Sequence, residues 1–255
     1  MLDFMIEPDD LTVTEIPELL ADRILEPNSV FLTIELQNNH MNESSIARKA
    51  RTEEYLRSLG VPVNPNLPFV ENESETNLRQ AETVARRALV LYHLVDVGFG
   101  GGADHAVRWL RNASLWDSVS PLEQRFLLDA NPSPQNIANA TWRVEALWVL
   151  LWSLKKIDKL EIPTALCDTE LIPRLMPGLA SPCGPFIAEA DLRPLSTILD
   201  ATDLIYRLHW AVVDASLNGK PTPASLQPSV VYERHYALNW LVYYRDDWDD
   251  ITTDT

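Results

Sequence analysis

The chain has 255 residues, 46% of them hydrophobic and 23% charged, the composition of a soluble globular protein with one large domain or two small ones. A formal net charge of −16 leaves no basic footprint to displace counterions, which speaks against nucleic-acid binding and fits a basic protein partner or simple solubility. Cys167 and Cys183, the only cysteines, form no CxxC pair and cannot build a disulfide framework or a zinc site, so a reduced cytoplasmic protein is expected.

The acidic start "MLDFMIEPDD" lacks the basic residues and apolar run of a secretory signal. "TEIPELLADRIL" predicts a short helix, and Ser29–Leu36, rich in β-branched residues, predicts the one strand. "QNNHMNESS" reads as a polar linker, which divides an N-terminal segment, residues 1–45, from a helical domain, residues 46–255.

From Ile46 onward the signals are helical. "SSIARKARTEEYLRSLG" starts after a serine and stops at Gly60, with Pro62 beyond. "VPVNPNLPFVENES" has three prolines and is extended. "AETVARRALVLYHLVDVG" ends at Gly98. "GFGGGADHAVRWL" looks like a phosphate loop, but it follows a helix and lacks the closing Gly-Lys-Ser/Thr, so it reads as a helix stop and a flexible connection. "SPLEQRFLL" carries Ser120 as N-cap, Pro121 at the first helical position and Glu123 as the capping-box partner. A longer helix starts the same way at Ser133 and Pro134 and runs to Lys156; its most apolar stretch, "ALWVLLWSL", is far short of the roughly 20 residues that span a bilayer, so no membrane association is expected. Another helix spans Leu195–Leu217 before Gly219, and a last one begins after Pro228 and Ser229. There is no repeat of fixed period. The pattern predicts a mainly α, multi-helix domain.

The charged residues inside these helices are the candidate sites. In "VVYERHYALNW", Glu233, Arg234 and His235 point in three directions at about 100° per residue, so one helix cannot converge them on one atom. The helix is apolar almost all round, so each group needs a partner from elsewhere, and Glu233 is expected in the first turn, where the helix dipole favours an anion. In "WRVEALWVLLW", Glu145 shares a face with Thr141, Trp148 and Trp152, and Arg143 lies on the opposite face. A buried Glu145 is either a general acid with a raised pKa or one end of an ion pair, with Arg86, Arg87, Arg207 and Arg234 as possible partners.

On the helix Leu195–Leu217, Asp200, Asp203, Arg207 and Asp214 share the face opposite the apolar stripe, with Asp203 and Arg207 at i,i+4. Three carboxylates suit a divalent cation, but Arg207 among them would repel one, so a solvated or salt-bridged face is expected and no metal is assigned. His209 beside this face is the strongest candidate histidine. The tail "RDDWDDITTDT" places five aspartates around Trp248 and Ile251, without the spacing of a calcium loop; it reads as an acidic tail anchored by Trp248, or as a docking strip for a basic partner. No nucleophile elbow or zinc-protease motif occurs, and no cofactor is called for.

Several stretches in this order resemble a bacterial family of domains of unknown function, the family numbered 4272. They are "RKARTEEYLRSLGVPVNPNLP", "ARRALVLYHL", "WRVEALWVLLWSL", "LRPLSTILDATDLIYRLHWAVVDASLNG" and "VVYERHYALNWL" with "WDDITTDT". The resemblance covers Ile46 to Thr255 and implies one family domain, but no activity and no catalytic residue. Where sequences of this kind often begin the helix after Arg79 with Ser/Thr-Pro, this chain has Gln80-Ala81, which implies a weaker cap.

Two functional readings follow. The first is an acidic binding or regulatory module, of which an immunity-type protein against a basic toxin is one form. The second is a hydrolase or transferase with its site between the helices bearing Glu145, His209 and the Glu233–Arg234–His235 run; Glu145 is the acid, His209 or His235 the base, and an arginine holds an anionic substrate group. Arg143, Arg207, Arg234, Asp200, Asp203, Asp214 and Trp148 are the candidate binding residues. An oligomeric module without a ligand is a third reading, and the sequence fixes neither oligomeric state nor partner.

Overall fold

A computed structural model describes residues 44–178 and 181–255. The helix expected over residues 14–25, the strand expected over Ser29–Leu36 and the linker up to residue 43 lie outside the described residues. Among those described there are nine α-helices and no strand, the mainly α fold that the sequence predicts. They are α1 (Ser45–Ser58), α2 (Ala81–Gly98), α3 (Ala103–Asn112), α4 (Pro121–Leu128), α5 (Pro134–Ser153), α6 (Ile172–Leu175), α7 (Gly184–Ala188), α8 (Leu195–Leu217) and α9 (Pro228–Leu241). None of the described helices is long and apolar enough to cross a membrane.

The helix starts follow local chemistry. Ser44 Oγ accepts from Ala47 N–H at 3.2 Å, and Ser133 Oγ from Asn136 N–H at 3.1 Å. Ser120 and Glu123 form the full reciprocal capping box. Gln80 contributes no side-chain cap to α2, in keeping with the missing Ser/Thr there. One expectation is corrected: the stretch after the glycine run is helix α3, not a flexible connection. Ala106, Val107 and Leu110 recur at helical spacing and are buried, and the glycines end at the N-cap, Gly102.

At the centre, α5 packs between α2 and α9, α9 packs on α8, and α1 covers the other side of α8. Both α5 and α9 are apolar nearly all round, the pattern of a helix surrounded by others. The end of α2 closes on α5 at Gly98, where a Cβ would lie 2.8 Å from Thr141 N; only glycine admits that approach.

The chain ties these helices together with the same arginine device, built twice. Arg79, just before the N-cap of α2, reaches the C-terminus of α9. Its N–H donates to Leu241 O (3.1 Å), its Nε to Trp240 O (2.6 Å) and its Nη2 to Arg245 O and Asp246 O (2.7 and 2.8 Å). Arg193, just before the N-cap of α8, does the same at the C-terminus of α5. Its N–H donates to Ser153 O (2.8 Å), its Nε to Trp152 O (2.8 Å) and its Nη2 to Ile157 O and Asp158 O (2.7 and 2.9 Å). Each guanidinium also sits by the ring of the tryptophan it caps, Trp240 at 4.3 Å and Trp152 at 5.2 Å.

Both capped helices end alike. Lys155 and Tyr243 take the left-handed conformation, with φ of 60° and 57°, and donate to Trp152 O and Trp240 O. Lys156 and Tyr244 donate back to Leu151 O and Asn239 O. This is a Schellman-type stop with a bulky residue in place of glycine. It is also why α5 ends at Ser153, short of the Lys156 predicted from sequence: no glycine marks the stop. The α2–α5 pair and the α8–α9 pair thus form two corresponding halves, and an arginine from each caps the central helix of the other. The correspondence has no fixed sequence period because the α2-to-α5 connection contains α3 and α4, whereas residues 218–227, with one 3-10 turn at Pro223–Ser225, join α8 to α9.

Arg79→Lys and Arg193→Lys keep the charge but cannot span three carbonyls. Each substitution is expected to lower stability by about 2 kcal/mol. Urea unfolding of the two variants measures this, and an unchanged midpoint for either would contradict the capping role.

Candidate functional site

The charged residues predicted on α5 and α9 meet as two ion pairs across the helix interface. Arg234 donates from Nε and Nη2 to Glu145 Oε2 at 3.0 and 2.9 Å, and Nη1 reaches Glu161 O at 2.7 Å. The other oxygen of Glu145, which is 0% exposed, accepts from Cys167 N–H at 2.6 Å. Of the four arginines open to Glu145 in the sequence, Arg234 is its partner. Arg143 Nη1 donates to Glu233 Oε2 at 3.0 Å, and its guanidinium stacks 4.1 Å from the centre of the Tyr236 ring. Burial pushes the Glu233 carboxyl above its usual range, and Arg143 pulls it back only in part. For Arg143 itself, burial opposes the charge but the Glu233 carboxylate overcomes it, so its pKa is raised. Glu233 is not in the first turn: α9 starts at Pro228, so the carboxylate lies beyond the helix dipole's reach and is held by Arg143 instead.

The acidic face of α8 is a buried seam against α1 at its N-terminal half. Asp203 is fully buried and takes two bonds from Arg207, at 2.6 and 3.1 Å. Asp200 Oδ1 accepts from Arg48 Nε (3.3 Å) and Arg51 Nη2 (2.8 Å). Arg207 Nη1 and Glu53 Oε1 approach to 3.7 Å, and neither atom has a hydrogen-bond partner among the described residues. Asp214 departs from this seam and receives Asn218 Nδ2 at the end of α8. A further pair joins Arg87 of α2 to Glu123 of α4. Among the described residues no three metal-ligating side chains come together.

His209 of α8 and His235 of α9 pack edge to face, with their Nδ1 atoms 2.8 Å apart. One must donate and the other accept, so the neutral pair holds opposite tautomers. Burial lowers the pKa of His209 to about 4, and burial together with the His209 charge lowers that of His235 well below the usual value. His93, buried against Trp109, is likewise lowered to about 4, by burial and then by His105.

Three hollows relate to these groups. His209 and Glu233 share one of about 60 Å³, beside Trp142 and Tyr232. Arg234 lines a larger one of about 350 Å³, whose lining includes none of Glu145, His209, Glu233 or His235. The third, about 370 Å³, is lined by Arg79, Arg86, Arg87 and the tail aspartates. Trp148 lies against the core and lines none of these hollows.

The two larger hollows are counterparts under the internal correspondence. Each contains the capping arginine, the capped tryptophan, a threonine four residues after the arginine (Thr83 or Thr197) and the loop after the capped helix. In one the loop supplies Asp246, Asp247, Asp249 and Asp250; in the other it supplies Asp158, Lys159, Glu161 and Ile162. Arg79 and Arg193 are the residues that sequence reading missed. Their only signal is an arginine placed just before a helix N-cap.

The profile of one protein family, described as a domain of unknown function (DUF4272), matches residues 48–251. No curated protein and no solved structure matches the chain.

Two measurements test this geometry. Arg234→Met leaves Glu145 buried without its countercharge and is expected to cost about 3–5 kcal/mol, while the double variant Glu145→Leu/Arg234→Met recovers most of that loss. A double-mutant cycle by urea unfolding that finds additive losses would contradict the pairing. The folded protein holds His93 and His209 neutral down to about pH 4, whereas the unfolded chain binds those protons near pH 6.5. Stability is therefore expected to fall as pH drops through that window, by about 3 kcal/mol for each histidine. Urea midpoints from pH 7.5 to 4.5 report it; His209→Asn should flatten the slope, and a flat wild-type profile would refute it.

Proposed function

We propose, from the premise that this chain belongs to the family of the domain of unknown function DUF4272, that it is a non-catalytic binding or regulatory domain for a basic protein partner. The observation that carries this reading is where the charge goes. The buried ions are six carboxylates (Glu53, Glu123, Glu145, Asp200, Asp203, Glu233) and five guanidiniums (Arg48, Arg79, Arg87, Arg207, Arg234). With Arg143 partly buried on Glu233, the interior is balanced. Among the described residues the excess of acids over Lys and Arg therefore lies outside this buried set, where it steers and orients a basic partner.

The Trp248-anchored tail supports the same reading. Trp248 is buried between Tyr236, Trp240 and the guanidinium of Arg87, and its carbonyl accepts from Tyr236 Oη. Asp249 Oδ2 takes Leu122 N–H at the start of α4 (2.9 Å). Neither Asp246 nor Asp247 is hydrogen-bonded through its carboxylate among the described residues, though both act on the Arg79 guanidinium through their charge. An immunity-type role against a basic toxin is one form this function takes.

One observation favours the hydrolase or transferase reading: His209 and Glu233 share a hollow. Against it, Glu233 holds Arg143 and Glu145 holds Arg234, and the hollow that His209 and Glu233 share, about 60 Å³, is far below the size of small-molecule sites.

Retention of a basic protein from cell lysate on the immobilised chain, across a salt series, tests the proposal. Binding is expected at low salt and should fall steeply as salt rises. The variant Asp246→Lys/Asp247→Lys should release the same partner. Retention that ignores salt and both substitutions would overturn the reading.

A further inference from the structure

The hollow of about 350 Å³ beside Arg193 falls in the size range of small-molecule sites, roughly 300–1,000 Å³, and opens between α5, α8 and α9. Its walls are apolar: Leu204, Ile205 and Leu208 of α8, Leu238 of α9, and Trp152 of α5. The counterpart hollow is different. There the position matching Ala201 is Arg87, whose guanidinium stacks 4.2 Å from Trp248, and the loop is a run of aspartates. The Arg193 hollow has Ala201 in that place and a lysine, Lys159, where the other has Asp247. One arginine device has thus produced a polar acidic hollow in one half of the domain and an apolar, lysine-bearing one in the other.

The donors at its mouth define the ligand's head group. Four cations line the hollow, Lys155, Lys159, Arg193 and Arg234, against two acids, Asp158 and Glu161. Both acids offer the arginines backbone carbonyls as hydrogen-bond acceptors, and the Asp158 carboxylate acts on Arg193 through its charge alone. Lys155 is held by Asp191, and Arg234 by Glu145. Lys159 is exposed and has no partner among the described residues, and Arg193 spends Nε and Nη2 on carbonyls while Nη1 makes no bond there. One ammonium and one guanidinium edge suit a single carboxylate, which takes donors on both oxygens.

We infer that this hollow is a binding site for a small apolar carboxylate, an acyl or aryl acid whose hydrocarbon part lies against Leu204, Leu208 and Leu238 and whose carboxylate meets Lys159 and Arg193. The site is separate from the acidic tail, and the inference does not depend on the protein-partner reading.

Titration of the full chain with sodium decanoate, followed by calorimetry and by tryptophan fluorescence, tests it, with 1-decanol and decylamine as the neutral and cationic isosteres. Decanoate is expected to bind once per chain, at least about tenfold more tightly than either isostere, a difference of about 1.4 kcal/mol. Lys159→Asp, which installs the residue of the counterpart hollow, should weaken decanoate about tenfold and leave decanol unchanged, while Lys220→Asp, outside the hollow, changes neither. No saturable binding of decanoate at millimolar concentration would overturn the inference, and so would equal affinity for the three probes. Decanoate binding that is indifferent to Lys159→Asp would overturn it too.

Discussion

Ionised groups cannot be left alone in a helical core, and this constraint shapes the whole domain. A carboxylate moved from water to an apolar interior loses several kcal/mol of solvation unless a countercharge and hydrogen bonds replace it. Here Glu145, Asp203 and Asp200 are buried to within a few per cent, and each is met by a guanidinium. The partners come from other helices in all but the Asp203–Arg207 pair, so the ions fix which helix lies against which. The pairs Glu145–Arg234 and Arg143–Glu233 are both satisfied in the observed register of α5 against α9.

Arginine does a second job at the helix ends. Arg79 and Arg193 each satisfy carbonyls that the last turn of a central helix leaves open, and each lies against the tryptophan there. A planar fork with five donors can reach three carbonyls from one side chain, which lysine cannot. Because the cap comes from the other half of the domain, neither half can complete its central helix alone. The two halves are coupled through hydrogen bonds as well as through the apolar α5–α9 interface.

The same economy separates structure from surface. Interior charge is balanced, so what remains for recognition is the outer acidity and the hollows beside the two capped helix ends. Shared geometry with different side chains gives these hollows opposite characters, aspartate-lined beside Trp248 and apolar with a lysine beside Trp152. The histidine pair belongs to the interior rather than to either hollow at the capped ends. With its Nδ1 atoms engaged on each other, it acts as a neutral cross-link between α8 and α9.

Local chemistry alone determined the helical class, the starts at Ser44, Ser120 and Ser133, the stops at Gly60 and Gly98, and the Asp203–Arg207 pair, because each depends on residues within about one or two helical turns. Sequence also showed that Glu145, Glu233 and Arg234 needed distant partners, since their neighbours on the helix are apolar. It could not say which. Glu145 had four arginines open to it, and only the packing of α9 on α5 brings Arg234 within 2.9 Å. The stops at Lys155 and Tyr243 were hidden because a left-handed residue without glycine leaves no local mark and is held there by the capping arginine and the chain beyond. The paired halves and their hollows were hidden for a related reason: they are defined by which backbone carbonyls one arginine can reach, and that distance exists only once the helices are packed.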